Sequence, residues 1–324
     1  MIDELVYMLT DPLMQRALIA ALLVGLTAPI VGTYLVQRRL SLLGDGIGHV
    51  ALTGVALGWL VGAAMGLVPQ DVLAIPGAVI AAVVGSVAIE IVRSRGRTSG
   101  DVALALLFYG GIAGGVLLIG IAGGTQSNLM AYLFGSISTV TGADLVLTVI
   151  LGVVILAVGL GLRAALFTVS QDEEFAIASG LPVRFLNIAV AVVAALTVTV
   201  AMRVVGLLLV SALMIVPVAV AQLVTRSFSR TMLLAAIVGV TVCVTGLSIT
   251  YWHNWSPGAT IVVLAIVVYA VVATVAPAIA RGRRRHHHDP HPDIPDDVRV
   301  RPESTSVQGA PAAERKGGDD PCSA

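Results

Sequence analysis

Two side chains in the stretch Arg38 to Gly58, RRLSLLGDGIGHVALTGVALG, are of types and spacing that do chemistry. Asp45 and His49 stand four residues apart, so a helix puts the carboxylate and the imidazole on one face. That pairing is half of a transition-metal site, because imidazole nitrogen and carboxylate oxygen both bind first-row divalent ions. His49 follows Arg39 by ten residues, about 15 Å along a continuous helix. Against a hydrocarbon layer about 30 Å thick, that is close to mid-membrane. An ionised side chain there costs at least about 2–3 kcal/mol unless something satisfies it. Gly44, Gly46, Gly48 and Gly54 leave room for a second backbone or a passing ion. Two structural accounts compete with metal contact: an Asp–His hydrogen bond that fixes packing, or an aspartate that caps the helix start.

A second stretch, Phe167 to Leu186, reads FTVSQDEEFAIASGLPVRFL. Asp172, Glu173 and Glu174 open a short amphipathic helix there, and Gly180 and Pro182 end it. Acids at its start complement the helix dipole. Phe175, Ile177, Ala178 and Leu181 are expected to form an apolar ridge. Such a helix suits docking into a partner's groove, and the pattern alone fits an ordinary interfacial connector equally well. His253, between Trp252 and Asn254, reads as part of an interfacial aromatic belt before it reads as a metal-entry ligand. Glu90 and Asp101 read as ion-paired ends of an arginine-rich loop. Met202 and Met214 read as packing, and Pro217 as a kink.

These groups must be carried by helices in lipid. Of 324 residues, 57% are hydrophobic and 12% charged, and the mean hydropathy is +0.96. Too few polar residues remain to cover a water-facing surface. A spanning helix needs about 20 apolar residues. The expected fold is all-α and polytopic, with about nine transmembrane helices and room for eight to ten. The spans are placed near 17–36, 47–67, 73–92, 102–121, 145–163, 186–202, 204–224, 232–252 and 259–280. Residues 122–143, rich in Gly, Ser and Thr, are expected to hold at most a partial or re-entrant helix.

Arginine counting orients the spans. With the N-terminus outside, the inner segments hold Arg38, Arg39, Arg93, Arg95, Arg97, Arg163, Arg184, Arg226, Arg230, Arg281, Arg283, Arg284 and Arg285. The outer ones hold only Arg16 and Arg203. That bias places the C-terminus inside. Residues 1–16 are then an extracytoplasmic N-terminus, 17–280 the transmembrane domain and 281–324 a disordered cytoplasmic tail. The acidic Met1–Asp11 lacks the basic start of a signal peptide, so the first span is expected to be retained. Arg281 to Arg285 suit anchoring to anionic lipid. The HHHDPH run at 286–291 fits either a metal-binding tract or an unselected tail.

Several classes are excluded. The single lysine, Lys316, is followed by Gly317 and Gly318 in the polar tail, so the phosphate loop of an ATPase cannot be built. Cys243 and Cys322 form no CxxC motif. No nucleophile–base set and no HExxH motif occur, so an enzyme is not expected and no catalytic residues are assigned. Nothing in the composition suggests a nucleic-acid partner.

The stretch Arg38 to Gly58, YLFGSISTV at 132–140, DEEFAIASGLP at 172–182 and VVGLLLVSALMIVPVAVAQL at 204–223 together resemble permeases of the ABC-3 family. The similarity runs from about Met14 to Ala276. Those proteins are membrane subunits of bacterial zinc and manganese ABC importers, with a type II ABC-importer-like architecture. The resemblance implies that Asp45 and His49 match the family's metal-path pair. It also implies that 172–182 is the coupling helix docking on a separate ATPase, through Asp172, Glu173, Glu174, Phe175, Ala178, Gly180, Leu181 and Pro182. Thr53-Gly54 departs from a Leu-Pro or similar pair found in many members, which bears on local helix geometry.

The expected function is therefore import of zinc or manganese across the bacterial cytoplasmic membrane by alternating access. The metal is cargo, no permanent cofactor is expected, and the partner subunit uses the ATP. An extracytoplasmic binding protein would deliver the metal. One Asp–His pair cannot complete a tetrahedral or octahedral shell, so a second copy or a close homologue is expected across a two-fold axis. The alternatives are an ABC permease for a siderophore or cobalamin chelate, and an ion-coupled secondary carrier using Asp45 and His49 as a proton relay.

Overall fold

The computed structural model describes residues 7–67, 70–94, 100–123, 126–136, 142–202, 205–253 and 255–284. Contacts divide the chain into Met1–Ala280 and Arg281–Ala324, and the architecture below is that of the first unit. The expectations placed on Arg203, the 286–291 histidine run and the tail beyond Arg284 lie outside the described residues.

All regular elements among the described residues are helical. They are α1 (Pro12–Gln37), α2 (Leu43–Ala64), a 3-10 turn (Gln70–Leu73), α3 (Ala74–Ser94), α4 (Gly100–Ile121), α5 (Gln126–Phe134), α6 (Gly142–Gly161), α7 (Arg163–Gln171), α8 (Glu173–Ala178), α9 (Val183–Ala201), α10 (Leu207–Val224), α11 (Phe228–Trp252) and α12 (Pro257–Arg284). Nine of these are long and apolar enough to cross a membrane: α1 to α4, α6 and α9 to α12. They fall on the nine spans expected from hydropathy. The partial helix expected within 122–143 is α5, with 9 residues, about 13 Å at 1.5 Å per residue and too short to span.

Local chemistry sets the ends. Asp11 caps α1, its Oδ1 accepting from the Leu13 amide at 2.9 Å, and Pro12 fits the first turn. At the far end Arg39 takes the left-handed conformation, φ 57°. The Leu40 amide then reaches the Leu35 carbonyl and the Arg39 amide that of Val36, at 2.8 and 3.1 Å. These two bonds close a Schellman motif. The chain reverses within Arg38 to Leu42 and starts α2 at Leu43. Contacts join the same ends of several helices. Tyr34 of α1 donates to the Gly159 carbonyl of α6, while Gln37 meets Gln171 of α7. At the opposite end Tyr251 of α11 donates to Asp11 at 3.4 Å.

Small residues let the backbones approach, as lipid-embedded bundles require. α1 crosses α11 where Gly25 meets Gly239, and Gly32 lies on the Met214 backbone of α10. α2 runs between α3 and α4 on one side and α9 and α10 on the other. A side chain on Gly54 would strike the Gly77 carbonyl of α3, and one on Gly111 of α4 would strike the His49 backbone. The Thr53-Gly54 pair thus has a local role, since Thr53 also donates to the Gly111 carbonyl at 2.8 Å. Large apolar side chains of α4, α6 and α12, among them Leu106, Leu117, Val153 and Val263, remain exposed.

Gly54→Val is expected to lower stability by about 1–3 kcal/mol through overpacking, whereas Gly110→Ala, which meets nothing within 4 Å, should leave it unchanged or slightly raised. Thermal unfolding of the detergent-solubilised variants checks both.

Candidate metal path and partner-docking segment

Asp45 lies in the first turn of α2. There its charge complements the helix dipole. The cap position is Leu42, and no side chain caps this helix start, so the capping role weighed for Asp45 is not seen. His49 follows one turn later and is 5% exposed. Because α2 starts at Leu43 and not at Arg39, His49 is about 9 Å into the helix at 1.5 Å per residue. The helix therefore starts four residues later than the continuous count from Arg39 assumed. The reversal at Arg38 to Leu42 takes up residues that the linear count had spent on helical rise.

The His49 ring packs edge-on against Phe108 of α4, with centroids 4.4 Å apart. Its Nδ1 is buried and has no hydrogen-bond partner among the described residues, so the Asp–His bond considered above does not form through that nitrogen. The Ser211 Oγ of α10 is in the same condition. Ser211 faces the same end of α2: its Oγ and the Met214 Sδ lie 3.1 and 3.5 Å from where a Gly44 side chain would begin. Met202 and Met214 are fully enclosed, as packing residues should be. Among the described residues no three His, Cys, Asp or Glu side chains come together to hold a metal. Asp45 and His49 offer one carboxylate and one imidazole, fewer donors than a coordination shell needs.

The second candidate segment is built by its caps. The Asp172 carboxylate accepts from the Phe175 amide at 2.9 Å, which starts α8. Gly180 ends it at φ +77°. There the Gly180 amide reaches Ile177 and the Leu181 amide reaches Ala176, at 3.0 and 3.1 Å, a second Schellman motif. Phe175 and Ile177 are each 61% exposed. Glu173, Glu174, Ala178, Gly180 and Pro182 are also exposed. Leu181 departs from the expected ridge. It is half-buried against the core, because the Schellman closure turns it back over the enclosed Ala176.

Behind α8 lies a polar group whose member Asn187 was not singled out from the sequence. Arg38 Nη2 donates to Asn187 Oδ1 of α9 at 2.8 Å, and Asn187 Nδ2 donates to Glu173 Oε1 at 3.3 Å. Glu90 pairs with Arg93 on α3 at 3.5 Å, as a local i, i+3 bridge. Burial lowers the pKa of the Arg38 guanidinium, as does Arg93, against the opposing fields of Glu90 and Glu173. His253 is exposed and packs against Trp255 with ring centroids 4.7 Å apart, in keeping with an aromatic belt.

Among the described residues, a bundle of nine helices long and apolar enough to cross a membrane, with an Asp–His pair on one helix and a capped, exposed short helix, defines a polytopic membrane protein. The chain belongs to the ABC 3 transport family, which matches residues 10–276. It is 31% identical over 264 residues to the manganese transport system membrane protein MntC of Halalkalibacterium halodurans, covering 82% of this chain and 87% of that one. It is 32% identical over 274 residues to the manganese import system permease protein ScaB of Streptococcus parasanguinis, covering 85% and 93%. Its fold is similar to a solved structure of PsaBC from Streptococcus pneumoniae in complex with Fab. The TM-score is 0.76 at 31% identity, over 88% of this chain and all of that one.

Replacing Asp172 with Ala should cost about 1 kcal/mol of local stability through the lost cap. Gly180→Ala should cost roughly 1–2 kcal/mol, the left-handed penalty. Hydrogen exchange across 173–178 should rise in both variants while exchange in α1 and α9 stays as in the wild type.

Proposed function

We propose that this chain is the permease subunit of an ATP-driven importer of a divalent transition metal, manganese or zinc, with Asp45 and His49 as its metal ligands. The observation that carries the reading is the buried, unpartnered His49 Nδ1 one turn from a carboxylate. An unsatisfied polar atom in an apolar interior costs free energy, and a passing cation relieves that cost. Two donors do not complete a coordination shell, so two copies of the chain meet across a two-fold axis and supply two carboxylates and two imidazoles. Alternatively a close homologue provides the second pair. Both manganese permeases above support that metal. Imidazole suits zinc as well, and selection between the two metals rests with the binding protein that delivers them. Membership of an ABC transport family speaks against the secondary-carrier alternative.

In this reading the N-terminus lies outside the bacterial cytoplasmic membrane and the C-terminus inside. Residues 172–182 then face the cytoplasm, where Phe175, Ile177 and Ala178 present apolar surface to the groove of a separate ATPase. The partner hydrolyses ATP, the chain itself performs no chemistry, and its motion opens the path alternately outward and inward. For coordination Asp45 must be ionised and His49 neutral, because only the unprotonated nitrogen can bind a metal.

The test is cellular manganese and zinc in a deletion strain grown under chelator. Complementation with the wild type should restore one metal. Asp45→Ala and His49→Ala should each reduce that restoration by about tenfold or more, the effect of 1.4 kcal/mol. If neither metal changes on deletion, the divalent-metal reading fails. Cross-linking that finds only a functional monomer removes the two-copy site. Separately, Phe175→Ala with Ile177→Ala should abolish co-purification of the ATPase subunit while the permease still folds, since both side chains are exposed.

A further inference from the structure

Asn187 occupies a position that a side-chain amide fits and a carboxylate or an ammonium does not. It is 5% exposed and stands between two opposite charges. A guanidinium can only donate hydrogen bonds and an ionised carboxylate can only accept them. Toward Arg38 the amide must therefore present oxygen, and toward Glu173 it must present nitrogen. The bonds at 2.8 and 3.3 Å have that polarity. Hydrogen bonds to charged groups are the stronger kind.

The two ends of this bridge lie at the two places the transport cycle must connect. Glu173 is the first residue of α8, the proposed ATPase-docking helix. Arg38 ends α1 and opens the reversal that begins α2, seven residues before Asp45. Beside it runs a second link, from Gln171 Nε2, next to the Asp172 cap, to Gln37 Oε1 at 3.1 Å. Both links tie the α7–α8 segment to the α1–α2 turn, and neither passes through the apolar core.

We infer that Asn187 is a positioning residue that couples α8 to the α1–α2 turn, so that displacement of the docking helix by the ATPase moves the Asp45-bearing end of α2. This rests on the docking reading of α8 given above. Arg38 and Glu173 act as the two handles, and the amide holds them in register without bringing a net charge to a buried position.

The experiment reconstitutes the whole importer, with its ATPase and binding protein, in proteoliposomes. It reads manganese(II) uptake per ATP hydrolysed together with co-purification of the ATPase. Asn187→Asp keeps the acceptor for Arg38 and repels Glu173; Glu173→Lys repels the Asn187 amide donor. Each single variant should lower uptake per ATP by about tenfold, as expected for loss of one charged hydrogen bond. The double variant, in which the new carboxylate at position 187 stands between two cations, should restore most of it. Unchanged coupling in both single variants, or no recovery in the double variant, overturns the bridge. Because Glu173 is exposed, Glu173→Lys folds even if Asn187→Asp alone does not, and recovery on adding Asn187→Asp then carries the test. If the ATPase does not co-purify with the wild-type permease through α8, it is the docking reading that fails. That outcome is distinct from normal docking with intact coupling in the variants.

Discussion

Polar atoms held in an apolar bundle without protein partners are the constraint around which this molecule is arranged. His49 Nδ1 and Ser211 Oγ are both enclosed and unpaired among the described residues. Elsewhere in the bundle, hydroxyls such as Thr27, Thr33 and Thr197 return to carbonyls of their own helix, which is how polar groups are normally satisfied in lipid. His49 and Ser211 sit at one end of α2, beside Gly44 and the carboxylate of Asp45, while a further unpaired atom, Trp59 Nε1, lies toward its other end. In the proposed role, a cation at the Asp45 end would meet the unpaired His49 Nδ1 and Ser211 Oγ. The tight packing of α2 against α3, α4, α9 and α10 keeps lipid and competing side chains away from that end.

The same packing explains why glycine recurs along α2, α3 and α4. The Gly54–Gly77 and Gly111–His49 approaches bring backbones closer than any side chain permits. Interfaces without large interlocking side chains also suit sliding, which alternating access requires. The short helix α8 follows another logic. Six residues are too few for a stable helix by propensity alone, and α8 persists because Asp172 caps one end, Gly180 turns the other, and Ala176 and Leu181 anchor its inner side.

Much of this was legible in the sequence. The nine spans follow from apolar runs of about 20 residues, which is a statement about local composition and membrane thickness. The start and stop of α8 follow from Asp172 and Gly180, since caps are local chemistry. Asp45 and His49 share a face because their spacing is helical. The start of α2 was not legible because the chain reverses through Arg39, a non-glycine residue in a left-handed conformation that no sequence signal marks. Leu181 was assigned to the exposed ridge because periodicity was carried past the residue where the helix closes.

Asn187 and Ser211 gave no signal at all. Each is a single polar residue in an apolar helix, and its meaning lies wholly in what another helix places opposite it. The sequence by itself determined which segments are long and apolar enough to span, where the short helix begins and ends, and that Asp45 and His49 lie one turn apart on one helix, because all three depend on residues within a few turns of one another. The tertiary structure decided that His49 Nδ1 goes unpaired, that Gly54 faces Gly77, and that Arg38, Asn187 and Glu173 meet. Those facts depend on which helices become neighbours, a matter of packing between segments up to 149 positions apart.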